Sequence, residues 1–244
     1  MPADARSILG HLDLVSAERA RRGESPELAA KVDAIKRYQQ RRFSGTYADR
    51  LGSPRYGPVS RFFLDELYGP HDFTQRDAQF ARVIPVLVQT FPGEIVAMVN
   101  TLVELHALSE TLDSSMALNL ESRSIDCRTY LAAWQATADA AQRERQIALT
   151  LQVGVALDRL TRKPLMRNSL RLMRGPARIA GLGELQRFLE AGFDTFKSMG
   201  GAKEFLALVE AREKRLSSAL FGAGAAENSA TELTTTAQAL ALLP

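Results

Sequence analysis

Apolar residues recur along this chain at spacings of three and four, and no run alternates β-branched residues with the period of two that a strand requires. That pattern predicts an all-α fold: a single-domain bundle of about eight or nine helices over residues 1–221, followed by a flexible tail, 222–244. Ile8, Leu12 and Val15 mark a first helix that stops at Gly23, and Leu28, Val32, Ile35 and Gln39 mark a second whose first turn holds Pro26. Residues 43–58 read as a turn-rich connection with helical pieces. A short helix from about Pro58 to Tyr68 ends at Gly69-Pro70, and Thr74 with Asp77 has the spacing of a capping box opening the next helix, which Pro85 should kink.

Phe91-Pro92-Gly93 resets the chain for a long apolar helix from Glu94 to about Leu118. One helix is expected from Arg128 to Leu160 with Trp134 as its largest anchor, then a compact basic helix from Pro164 closed by Gly175-Pro176. Leu182, Leu185, Leu189, Gly192 and Phe196 form a stripe that Phe188 and Phe193 widen, and it could serve a homodimer as readily as a monomer core. Phe205, Leu208, Val209 and Leu216 define a last helix, after which the residues are small and polar.

Composition narrows the chemistry more than it names it. A hydrophobic content of 45% in 244 residues is ample for a core. Cys127 is the sole cysteine and there are three histidines, so neither an internal disulfide nor a cysteine-based zinc site can form, and a reducing, cytoplasmic setting fits. The 31 cationic and 28 acidic side chains nearly cancel to +3, which by itself points to no partner. No uninterrupted apolar run reaches the roughly 18–20 residues of a membrane span, and the first residues alternate charge with leucine, unlike a signal peptide. The chain lacks a Gly-x-Ser-x-Gly elbow, a phosphate-binding loop ending Gly-Lys-Ser/Thr and a His-Glu-x-x-His pair. No cofactor and no metal site is predicted.

Three groups of residues are candidates for function. Glu66, Tyr68, His71 and Asp72 could line a cavity mouth, where a carboxylate beside a histidine can do acid–base work; the plainer reading is a short wedge helix with solvated acids. Ile95, Val99 and Leu102 share a helix face that continues through His106, Glu110 and Asp113, which is either a helix leaving the core or a polar site at the end of a bundle. Lys163, Arg167, Arg171 and Arg174 follow one face, with Arg178 extending the line and no acid between residues 159 and 178. Such a face suits an anionic ligand, an anionic lipid surface or an acidic protein, unless Glu184, Glu190 or Asp194 pairs with it. No aromatic residue interleaves it, which argues against nucleic acid.

The string Phe62-Phe63-Leu64-Asp65-Glu66-Leu67-Tyr68 resembles the signature of the FFLEELY motif proteins, an uncharacterised bacterial group, with Asp65 where that signature has Glu. The flanking stretches, residues 47–61 and 69–85, resemble the same family context. The resemblance implies a bacterial, cytoplasmic, helical protein and carries no catalytic residue. Two functions remain open on the sequence: a non-enzymatic binding or interaction protein, or a metal- or haem-dependent helical enzyme built around His106, Glu110, Asp113 and His71.

Overall fold

Burying those stripes against one another is what assembles the molecule. The computed structural model describes residues 5–67, 73–137, 140–163, 165–223 and 229–244, and every regular element among them is helical. In chain order these are α1 (Ala5–Gly23), α2 (Pro26–Thr46), α3 (Ala48–Leu51), α4 (Gly57–Phe62), a π-helical turn (Phe63–Leu67), α5 (Thr74–Thr90), α6 (Gly93–Leu118), α7 (Cys127–Thr137), α8 (Ala140–Thr161), α9 (Met166–Leu172), α10 (Arg174–Ile179), α11 (Gly183–Ser198), α12 (Lys203–Gly222) and α13 (Ser229–Leu240).

The all-α class holds, but the helices outnumber the eight or nine expected. Short segments account for part of the difference. The connection at 43–58 contains α3 and the start of α4, and the basic stretch holds two helices because Gly175-Pro176 opens α10 instead of closing its predecessor. Proline tolerates that position, since a first-turn amide has no intrahelical partner. The helix expected over 128–160 is described as α7 and α8, on either side of residues 138–139, which lie outside the described residues. Pro85 sits inside α5, whose helical assignment continues through it.

The expected tail also contributes structure. Ser229–Leu240 is helical, Ala239 is fully buried, and Leu240, Leu242 and Leu243 pack against the core beside α12. Three leucines gathered at the end supply the bulk that the segment lacks on average, so a reading by mean composition misses them.

Three apolar clusters form the interior. Ile8, Leu12, Phe80, Ile84, Val99 and Leu185 join α1, α5, α6 and α11. Phe43, Tyr47, Phe63, Phe196 and Phe205 join α2, the π-helical turn, α11 and α12. Tyr38, Met116, Tyr130, Trp134 and Leu220 join α2, α6, α7 and α12, with the Tyr38 and Tyr130 rings stacked at 4.4 Å. α8 approaches α12 so closely that a Cβ on Gly154 would lie 2.5 Å from a methyl carbon of Leu206.

α6 is the central helix. By length and composition it alone among the described helices could cross a membrane, yet here it packs against α1, α2 and α8. On the α11 stripe Leu185, Gly192, Phe193 and Phe196 are buried, and Leu182, Phe188 and Leu189 are half-buried.

Candidate functional site

The helical stripes do not end when their apolar residues end. On α1 the positions 8, 12 and 15 continue at the same spacing to Arg19 and Arg22, and on α2 the positions 28, 32 and 35 continue to Gln39 and Arg42. On α6 the face through Ile95, Val99 and Leu102 continues to His106, Glu110 and Asp113. Ser7 meets Asn100, Arg19 meets His106, and Arg22 meets Glu110 and Ser114, so α1 and α6 lie side by side in the same direction. Their polar ends therefore coincide.

At that end Glu110 accepts from Arg22 and from Lys36 at 2.8 Å, while Arg22 also donates to the Glu110 carbonyl and to the Ser114 hydroxyl. Burial raises a carboxyl's pKa, but Lys36 and Arg22 outweigh it and hold Glu110 at about 2. One turn away, Asp77 of α5 lies 2.8 Å from His106 Nε2 and 2.7 Å from Arg19. Burial opposes its ionisation too, and His106, Arg76 and Arg19 together bring it down to about 2. Asp77 is thus an ion-pair partner, and the N-cap position of α5 is Phe73, which makes no side-chain cap bond. Asp113 differs: Gln39 donates to it at 3.0 Å, and burial pushes its carboxyl upward.

Of these groups Lys36, Gln39, Asp77, His106, Glu110 and Asp113 line a cavity of about 130 Å³. Most of the remaining lining is apolar, including Phe63, Phe80, Met98, Val99, Leu102 and Phe188. The π-helical turn supplies Phe63 to the interior and Glu66 to the rim. Such turns are frequent at functional sites because the extra backbone residue per turn reorients the side chains. Phe63 is wedged against Phe43, Phe196 and Phe205, while Phe62 stacks on Phe188 above Gly192, where a Cβ would come within 3.1 Å of its ring. Arg76 closes the rim: its guanidinium lies 3.9 Å from the Phe73 ring and 4.6 Å from that of Phe188, and it donates to the Glu66 carbonyl.

Glu66, His106, Glu110 and Asp113 accordingly share one cavity. His71, Tyr68 and Asp72 lie outside the described residues. Sequence reasoning missed Arg19, Arg22, Lys36, Arg76 and Asp77; the available signal was the continuation of the α1 stripe into "ERARRG", which reads more readily as a surface break. Among the described residues no three His, Cys, Asp or Glu side chains are grouped to hold a metal ion.

The basic face lies elsewhere. Lys163 pairs with Glu94, Arg167 with Asp194 through two bonds of 2.6 and 2.7 Å, and Arg174 with Glu190 at 2.5 Å. Glu184 pairs instead with Arg187 on its own helix. Arg171 and Arg178 are exposed and form no ion pair among the described residues.

Residues 18–227 match the family described as Domain of unknown function (DUF8198). The chain belongs to that family. The match spans α2 to α12 in full, and so takes in nearly every residue of the cavity; the exception is Leu12, which precedes it. No curated protein and no solved structure matches the chain.

Proposed function

We propose that this family member is a non-enzymatic binding protein that holds a small amphipathic molecule between α1, α2, α5, α6, α8 and α11. The observation that carries the reading is the cavity's lining, mostly aromatic and aliphatic with a smaller set of fixed charges. Concave, largely apolar sites with a few convergent polar groups are the usual form of small-molecule pockets. Each carboxylate of the site but Asp113 is held by cations, which suits orienting a ligand better than exchanging protons with it. The string Phe62–Tyr68 supports placing the chain among the FFLEELY motif proteins, in a bacterial cytoplasmic setting. The test is thermal denaturation with single-ring aromatic fragments. At a hundredfold excess over Kd a bound ligand adds about 2.7 kcal/mol, so the melting temperature of the wild type rises, and Leu102→Phe, which fills the cavity, abolishes the rise. No shift with any fragment, or an equal shift in Leu102→Phe, sinks the reading.

A second reading rests on α9 and α10. Ile179, Leu172 and Leu165 are 91%, 78% and 74% exposed, large apolar side chains beside the uncompensated Arg171 and Arg178. Protruding apolar residues with arginines suit an anionic lipid surface. Phosphatidylserine vesicles should sediment the wild type in a salt-sensitive manner and release Ile179→Asp. Equal binding to neutral vesicles, or none to either, removes this reading.

A further inference from the structure

The acids that line the cavity are not equally provided for. Glu110 meets Arg22 and Lys36, Asp77 meets Arg19, and Glu66 meets Arg76 at 3.8 Å. Asp113 forms no ion pair among the described residues, and its hydrogen bond there is the 3.0 Å bond that Gln39 Nε2 donates to Oδ1. That leaves Asp113 Oδ2 and Gln39 Oε1 without partners among the described residues. Both residues line the cavity and are buried, at 7% and 9% exposed. The Tyr130 hydroxyl and the Trp134 indole nitrogen are also without partners, but those atoms are sealed from any open space. Asp113 Oδ2 and Gln39 Oε1 are not among the sealed atoms, so each keeps accessible surface. Two bare acceptors therefore sit together at the polar end of the cavity, tied to each other through their side chains.

The charges around Asp113 do not satisfy it. Lys36 of α2 and Arg143 of α8 favour its ionised form, while Glu110 on its own helix opposes it. Lys36 is bound to Glu110 at 2.8 Å, and the Arg143 guanidinium lies 3.8 Å from the centre of the Trp134 ring. Burial outweighs both cations and pushes the Asp113 carboxyl upward, whereas Glu110 and Asp77 are brought down to about 2. Negative charge at Asp113 is thus under-compensated in a way that it is not at the other two acids. An ammonium group supplies the complement: three N–H donors, no acceptor and a positive charge. A carboxylate would add acceptors where donors are short.

Resting on the reading of the cavity as a ligand site, we infer that its ligand carries an ammonium group that docks on Asp113 and Gln39. The size of the body follows from the cavity, because an engineered apolar cavity of about 150 Å³ in another protein holds one benzene. The ligand class is then a small primary amine carrying a single ring or a short alkyl chain, with its apolar body against Met98, Val99 and Leu102.

The probes are phenethylamine, its neutral counterpart 2-phenylethanol and the anion phenylacetate, each titrated calorimetrically at neutral pH. Phenethylamine should bind about tenfold more tightly than either counterpart, the scale of one hydrogen bond to a charged group. Asp113→Asn, which keeps the shape and an acceptor for Gln39, should bring the amine down to the affinity of the alcohol and leave the alcohol unchanged. An alcohol or an acid that binds the wild type as tightly as the amine overturns the ammonium inference while the cavity reading stands. If none of the three binds, both fall. A preference for the amine that survives in Asp113→Asn removes Asp113 from the role. The comparison of amine with alcohol needs no variant, so misfolding of Asp113→Asn would not rescue the inference.

Discussion

The charges at the end of α6 and those on α9 and α10 look alike in sequence, as ionisable residues repeating at helical spacing beside an apolar face, yet they meet opposite fates. Glu110 is enclosed with Arg22 and Lys36, and its side chain is 4% exposed. Arg174 meets Glu190 at a similar distance from a side chain that is 59% exposed. Solvent screens the second pair and the loss of rotamer freedom offsets it, whereas the first cannot lose a partner without leaving a buried charge. Burial, and not pairing distance, separates a structural charge from a decorative one.

The largest effect should come from Glu110→Gln, which strands Arg22. We expect a loss of about 3–5 kcal/mol in urea denaturation, and a loss too small to measure would mean that Arg22 reaches water.

The acid limb of the stability curve gives the next contrast. The folded carboxyls of Glu110 and Asp77 titrate at about 2, below their ordinary 4.5 and 3.8. Their contribution is complete above those ordinary values and is lost as pH falls toward 2. The melting temperature should drop across that window, and less steeply in Glu110→Gln. Asp113 has the opposite sign: its raised pKa favours the protonated acid, a contribution present below its ordinary 3.8 and lost as pH rises through its folded value. Asp113→Asn keeps an acceptor for Gln39, so at neutral pH it should leave stability unchanged or raised, and marked destabilisation would show that the ionised form is required. Smallest of all, Arg174→Ala should leave the urea midpoint where it is; a clear shift would undo the contrast between the two regions.

Much of the fold was legible because apolar spacing reports burial directly. The faces through Ile8, Leu12 and Val15 and through Ile95, Val99 and Leu102 became α1 and α6 and met in the interior. Asp77 shows where such reading stops. Its spacing from Thr74 fits a cap, but the competing partners, Arg19 and His106, lie 58 and 29 residues away in sequence, and a buried charge takes the stronger pair. The buried polar atoms of Tyr130 and Trp134 were hidden for a related reason. Tyr130 and Trp134 look like core aromatics on a helix, and only the packing of α2, α8 and α12 over them determines whether their polar atoms find acceptors.

By itself the sequence determined the helical class, the bounds of α6 and the faces on which ionisable residues replace apolar ones, all of which follow from local geometry and the cost of exposing apolar surface. Tertiary structure decided which of those faces meet. It set Arg22 against Glu110 and Asp77 against His106, left Arg171 and Arg178 in solvent, and enclosed a cavity between helices far apart in the chain. The physical reason is that an ion pair's strength and a donor's need for an acceptor depend on dielectric and distance, and both are fixed only when separate helices pack.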